Sequence, residues 1–188
     1  MDKVNAGTNY PIVRANLVRG ATLGATPRED HLHAMPHVIL DRKVTDGARR
    51  EHAVRVGFIG FVSPQIMTWD TRHLVGKVLA RDIVEAAAAS VPQMKEEGAD
   101  IVVALSHSGI DAKRTDMMEN ASLFLANVEG IDAVFTGHQH LVFPGKALEG
   151  LENVDSEAGM LFGKPAVQPG FWGSHMGLID LLIERDGN

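Results

Sequence analysis

The sequence predicts an α/β fold, and the strongest indication lies between residues 82 and 136. There a helical pattern, an apolar strand, a second helical pattern and a second apolar strand follow one another. Strands connected through helices run parallel, and such crossovers are right-handed in about 98% of cases. The carboxyl ends of the two strands should therefore lie at one edge of a sheet.

Strands and turns are predicted over residues 10–62. Tyr10 to Val18 alternates apolar and polar side chains, as a half-buried strand does. After a connection rich in Gly and Pro, His37 to Val44 predicts a short strand and Asp46-Gly47 a hairpin turn. Val54 to Val62 is apolar on both faces, which indicates a central strand.

The first helix should begin at Asp82, where Asp82-x-x-Glu85 resembles a capping box, and end at Gly98. Asp100 to Ser106 then predicts a strand that is covered on both faces. The first helix and this strand form the first half of the βα pattern.

The second helix should run from Asp116-x-x-Glu119 to Gly130, with Met117, Ala121, Phe124 and Val128 facing the core. Ile131 to Thr136 predicts another buried strand. After an apolar stretch at Pro165 to Val167, a last strand is expected from Met176 to Glu184.

Composition excludes several classes of protein. The chain has 188 residues, 45% of them hydrophobic, and a net charge of −6. This length suits one domain. The sequence contains no run of about 18 apolar residues, which a membrane span would need, and no broad basic patch that could bind a nucleic acid. Cysteine is absent, so any metal must bind to His, Asp, Glu, Asn or Gln. The segment Met1 to Gly7 lacks the blocks of a secretory signal, so the protein is cytoplasmic or this is not its natural start.

Three histidines should meet at the sheet edge. His107 follows the first strand of the βα pattern, and His138 and His140 follow the second. Open α/β sheets bind ligands at the carboxyl ends of their strands, and imidazole binds divalent transition metals. The glycine of Gly-His-x-His would let the backbone come close to this site. This pattern predicts a metal site.

Three neutral ligands are too few for a hydrolytic site with two metal ions. Such ions, about 3.5–4 Å apart, need carboxylates to offset their charge. No acidic residue follows the two strands in the same topological position, and Asp111 is interpreted as a solvated loop residue. The sequence thus supplies part of a site.

Four segments closely resemble the calcineurin-like metallophosphoesterases, in particular the bacterial 2',3'-cyclic-nucleotide 2'-phosphodiesterase/3'-nucleotidase branch, related to the 5'-nucleotidases. They are VGFIGFVSPQIMTWD (56–70), GADIVVALSHSGI (98–110), ENASLFLANVEGIDAVFTGHQHLVFPGK (119–146) and GKPAVQPGFWGSHMGLIDL (163–181). The resemblance implies a layered α/β sandwich with mixed sheets, missing its N-terminal strands. Residues 1–188 would then be the C-terminal larger part of one catalytic domain.

The resemblance also implies roles for single residues. His107 matches the family's single histidine after a strand and His138 the first histidine of Gly-His-x-His, and both bind one metal. His140 matches a ligand of the other metal. The remaining ligands, and the histidine that protonates the leaving group, should precede residue 1. His175 is expected near the metal edge, where it contacts substrate or hydrogen-bonds to a metal ligand.

The implied function is hydrolysis of 2',3'-cyclic nucleotides and 3'-nucleotides with two divalent ions, chosen from Mn, Zn, Fe, Co and Mg. The isolated chain is expected to have little or no activity. A non-catalytic remnant with a weak histidine site and a 5'-nucleotidase-type phosphomonoesterase stay open as alternatives.

The expected partner is a nucleotide, with no nucleic-acid polymer and no membrane. Full-length relatives imply export to the periplasm or cell wall. Self-association is expected because the missing opening strands would leave a sheet edge exposed.

Overall fold

A mixed β-sheet forms the centre of the protein, which we describe over residues 7–184 from a computed structural model. The segment Met1 to Gly7 that was examined for a secretory signal lies outside this range except for Gly7. The strands are β1 (Leu17–Arg19), β2 (His37–Thr45), β3 (Glu51–Val62), β4 (Val78–Ala80), β5 (Ile101–His107), β6 (Ala133–Phe135), β7 (Val142–Phe143), β8 (Val154–Asp155), β9 (Met160–Leu161) and β10 (Lys164–Pro169). The α-helices are α1 (Ile66–Trp69), α2 (Thr71–Leu74), α3 (Ile83–Glu96) and α4 (Ser122–Ala126).

The main sheet has the strand order β2-β3-β5-β6-β10-β9-β8, and β7 pairs with β10. Strands β3, β5, β6 and β10 run parallel, whereas β2, β7, β8 and β9 pair with antiparallel neighbours. β1 and β4 form a separate antiparallel pair. The prediction of an α/β fold with mixed sheets is confirmed, and the carboxyl ends of β3, β5 and β6 share one edge.

The core lies between the sheet and the helices α3 and α4. It contains side chains from the central strands and from both helices, namely Ile59, Val102, Val134, Ile83, Met94, Leu123 and Leu125. Gly57 permits the close packing of α3, because a Cβ there would lie 2.6 Å from the Met94 methyl group. No helix within residues 7–184 combines the length and hydropathy that crossing a bilayer requires.

Helix α3 begins and ends where the sequence predicts. The Asp82 carboxylate accepts hydrogen bonds from the N–H groups of Val84 and Glu85, which are otherwise unpaired in the first turn. The capping box is only half formed, because the Glu85 side chain binds Arg81 instead of the first backbone N–H. Gly98 follows the helix with a φ of +91°, a conformation that glycine adopts without strain.

The predicted second helix is much shorter than expected. Only Ser122–Ala126 is helical, and the residues from Asp116 onward form a loop. Met117 has a φ of +51° and is exposed, so its predicted place in the core is wrong. The reason is tertiary, since the Met117 N–H donates to the distant Asp82 carboxylate.

Strand predictions at the two ends of the described chain also need correction. Between Tyr10 and Val18 only the last two residues enter β1, because Ala15 and Asn16 bind instead to residues of other strands. The apolar stretch at Pro165 to Val167 is part of β10, a strand that pairs with β6. The strand expected from Met176 to Glu184 is not formed. Residues 171–184, here called the C-terminal segment, have no regular structure.

Candidate metal centre

Two of the three predicted histidines meet at the carboxyl edge of the parallel strands. His107 is the last residue of β5, and His138 lies three residues beyond β6. Their ring centroids are 5.4 Å apart, with 57° between the ring planes. We call the loops that carry them, residues 107–121 and 136–141, the rim. The topology brings this pair together, because β5 and β6 are adjacent and parallel.

Hydrogen bonds tie the two loops of the rim to each other. The Gln139 side-chain oxygen accepts from the Ile110 N–H at 2.7 Å, and the Ser108 carbonyl accepts from the Thr136 hydroxyl at 2.5 Å. Gly109 makes this contact possible, since a Cβ there would lie 2.2 Å from Gln139 Cδ. The close approach expected at Gly137 is not found, because a Cβ at that position would meet nothing within 4 Å.

His138 has two further neighbours that the sequence analysis did not place at the site. Its Nε2 is 2.6 Å from Glu119 Oε1, and its ring stacks on Trp69 with centroids 4.9 Å apart. An acidic residue therefore does lie beside a histidine motif, contrary to our expectation. Glu119 was assigned to a helix start and instead lies in the first loop of the rim.

His140 and His175 occupy different surroundings from the first pair. The His140 ring stacks on Phe171, with centroids 5.2 Å apart and 28° between the planes. His175 is exposed in the C-terminal segment, where its Nδ1 lies 2.9 Å from the Ser174 hydroxyl. Both rings therefore contact the C-terminal segment, and His140 also lies close enough to His107 to affect its pKa.

The rim carries unusual backbone and charge features. His138 and His140 have φ values of +70° and +60°, which non-glycine residues seldom adopt and which concentrate at functional sites. Partial burial of the His107 ring and the nearby charges of His138 and His140 lower its pKa. A lowered pKa favours the neutral imidazole, the state in which histidine binds metals.

One of the two missed residues, Trp69, had a usable signal in the sequence. Trp69 follows the carboxyl end of β3, a strand predicted to be central, so the same edge argument that placed the histidines applies to it. Glu119 had no such signal, because the local pattern suited a helix start. Its position depends on contacts with residues distant in sequence.

Comparisons with known proteins show what this chain is similar to. The crystal structure of the calcineurin-like phosphoesterase YfkN from Bacillus subtilis superimposes with a TM-score of 0.83 and 40% identity, covering 92% of this chain and 50% of that one. The 2',3'-cyclic-nucleotide 2'-phosphodiesterase/3'-nucleotidase of Salmonella typhimurium is 42% identical over 182 residues.

Over nearly its whole length, the chain is similar to calcineurin-like phosphoesterases.

This chain spans only part of its relatives. The Salmonella match covers 96% of the chain but 27% of that relative's length. A 5'-nucleotidase described as putative, from Staphylococcus aureus, shares the fold at a TM-score of 0.57 and 21% identity. No family model matches the chain.

Calcineurin-like phosphoesterases generally use divalent metals, and the pair of imidazoles suits such an ion. Zinc, for example, takes imidazole nitrogens at about 2.0–2.1 Å, and the two adjacent rings offer such nitrogens without cysteine. Within residues 7–184, however, no group of three or more His, Cys, Asp or Glu side chains is arranged to hold a metal ion. The described residues of the rim could therefore supply some of the ligands of one metal ion, but they do not form a complete site for two ions.

Proposed function

We propose that residues 1–188 are part of the catalytic domain of a metal-dependent phosphoesterase that hydrolyses 2',3'-cyclic nucleotides and 3'-nucleotides. The observation that carries the proposal is the 5.4 Å separation of the His107 and His138 rings at the edge where such sheets bind ligands. The Salmonella relative, whose name states this pair of activities, supports the choice of substrate.

In this proposal His107 and His138 share one divalent ion, and His140 binds a second ion. Bound divalent ions polarise phosphoryl oxygens, which is the chemistry they supply to hydrolysis. The histidines contribute neutral nitrogens, and the Gln139 bond to the Ile110 N–H keeps the two loops at a fixed separation. Stacking on Phe171 does not occupy the in-plane nitrogens of the His140 ring, which are the atoms that would bind this ion. His175 would contact substrate or a metal ligand.

Metal binding by the purified chain tests the assignment of His138. We expect Zn²⁺ titrated into the chain, followed by calorimetry, to bind with at most one tight equivalent. His138→Ala should weaken that binding by 100-fold or more, on the order of 2.7 kcal/mol. His52→Ala is the matched control, because it removes an imidazole from the far end of β3. Equal losses in both variants would contradict the proposal.

Activity needs a different test, because the described rim fits only a share of the ligands. We expect the isolated chain to hydrolyse bis(p-nitrophenyl) phosphate slowly or not at all. A separate polypeptide carrying Asp-x-His and Gly-Asn-His-Glu motifs should restore turnover on mixing. A failure to restore activity, together with the absence of tight Zn²⁺ binding, would favour the non-catalytic alternative. Export of the full-length protein also stays a prediction, which cell fractionation can check.

A further inference from the structure

The contact between Glu119 and His138 suggests a role for a residue that the proposed function does not use. Oε1 of Glu119 lies 2.6 Å from Nε2 of His138, which is the distance of a strong hydrogen bond to a carboxylate. An ionised carboxylate only accepts, so Nε2 carries the hydrogen, and in the neutral ring the lone pair then lies on Nδ1. Resting on the proposed function, we propose that Glu119 is a positioning residue that directs Nδ1 of His138 toward the metal.

The backbone of Glu119 is held firmly enough for this role. Its carbonyl oxygen accepts hydrogen bonds from the hydroxyl groups of Ser63, at 2.7 Å, and Ser108, at 2.6 Å. Ser63 follows β3 and Ser108 follows β5, so these two bonds fix the Glu119 backbone relative to two strands of the sheet. The Ala121 N–H donates to the same Ser108 hydroxyl and closes the loop behind Glu119.

The stacked Trp69 restricts the His138 ring in a complementary way. Stacking at 4.9 Å and 25° holds the plane of the imidazole, but it does not decide which nitrogen points where within that plane. The hydrogen bond to Glu119 supplies that second restraint. Together the two contacts restrict both the plane of the ring and its rotation within that plane, and Nδ1 is the nitrogen that Glu119 does not contact.

The carboxylate should also strengthen the ligand electronically. A metal-binding histidine usually donates its other N–H to a carboxylate, carbonyl or water, and loss of that partner weakens metal binding by about 10–100-fold. The Glu119 side chain is 44% exposed and has room to make this one contact. Its removal therefore should leave the packed core intact.

The test compares Glu119→Ala, Glu119→Gln and Asp116→Ala, the last being a control that removes an exposed carboxylate from the same loop. Long-range ¹H–¹⁵N spectra of the metal-free chain report which nitrogen of His138 carries hydrogen. We expect one tautomer with a downfield Nε2–H signal in the unchanged chain and in Asp116→Ala. The signal should be lost in Glu119→Ala and retained in Glu119→Gln, whose amide oxygen still accepts.

Zn²⁺ titration of the same proteins supplies the second measurement. Glu119→Ala should bind about 10–100-fold more weakly, Glu119→Gln should fall between it and the unchanged chain, and Asp116→Ala should bind normally. Equal weakening by Glu119→Ala and Asp116→Ala would overturn the proposal, since it would indicate a general charge effect. Unchanged His138 spectra in Glu119→Ala would overturn it too. If the spectra respond as expected but no protein binds Zn²⁺, the proposed function fails while the orientation of His138 by Glu119 stands.

Discussion

The rim and the C-terminal segment differ in how their chains are held. In the rim, side chains bind the backbone of the neighbouring loop, as Gln139 binds Ile110 and Thr136 binds Ser108. In the C-terminal segment, the backbone hydrogen bond found among the described residues joins Ser174 to Phe171. Both regions follow strands of the same sheet. The comparison shows that order at the rim comes from specific side-chain to backbone bonds, which a periodic pattern of residues does not reveal.

The largest effect on stability is expected from Gly109→Ala, which should break a hydrogen bond between the two loops of the rim. The new Cβ would lie 2.2 Å from Gln139 Cδ, so the Gln139 side chain must move and release the Ile110 N–H. Overpacking of this kind costs about 1–3 kcal/mol, which urea unfolding measures.

Gly137→Ala is the matched control for that prediction. It changes the neighbouring loop of the same rim, but its Cβ would meet nothing within 4 Å. We expect its free energy of unfolding to stay within about 0.5 kcal/mol of the unchanged chain. If both variants lose the same stability, the Gly109 contact does not hold the rim together.

Local patterns predicted the elements whose contacts are local or follow from simple topology. Helix α3 has its own cap at Asp82, and the β2-β3 hairpin has its own turn at Asp46-Gly47. The pairing of His107 with His138 followed from parallel strands and needed no knowledge of side-chain contacts.

Three of the errors involve partners distant in sequence. Met117 leaves the predicted helix because its N–H binds Asp82, 35 residues earlier. β10 is a strand because it pairs with β6, and no periodicity within six residues indicates that partner. Glu119 likewise reaches His138 from a loop that Ser63 and Ser108 position.

Asp82→Asn should have the next largest effect, because Asp82 joins the start of α3 to Arg114 and Met117 in the first loop of the rim. Burial alone would raise the pKa of Asp82, but hydrogen bonds from Arg114, Glu85 and Met117 and the Arg114 charge outweigh it and leave the pKa lowered. Asparagine still caps a helix, so the substitution removes mainly the charge. We expect a loss of about 1–2 kcal/mol at pH 7.

The pH dependence of that loss follows from the direction of the shift. A carboxylate with a lowered pKa in the folded state stabilises the protein above its unfolded pKa of about 3.9, and this contribution disappears as the pH falls through the folded value. Lowering the pH from 6 to 3 should therefore reduce the free energy of unfolding of the unchanged chain more steeply than that of Asp82→Asn, as measured by urea unfolding. Parallel curves would contradict the assigned role of the charge.

A substitution in the C-terminal segment should have the smallest effect on stability but a clear effect on self-association. Trp172 and Leu182 are 94% and 91% exposed, whereas the outer edge strand β2 carries Asp41, Arg42 and Lys43, charges that discourage edge-to-edge pairing. We therefore expect self-association to use the C-terminal segment.

Leu182→Lys tests this expectation by placing a charge where the side chain has few contacts to lose. The free energy of unfolding should change by less than about 0.5 kcal/mol, because the residue is almost fully exposed. Sedimentation velocity over a range of concentrations should show a shift toward monomer. Val44→Lys, at an exposed apolar position of β2, should leave association unchanged. Association that persists in Leu182→Lys and disappears in Val44→Lys would instead identify β2 as the contact, and the charges of that strand would then not protect the edge.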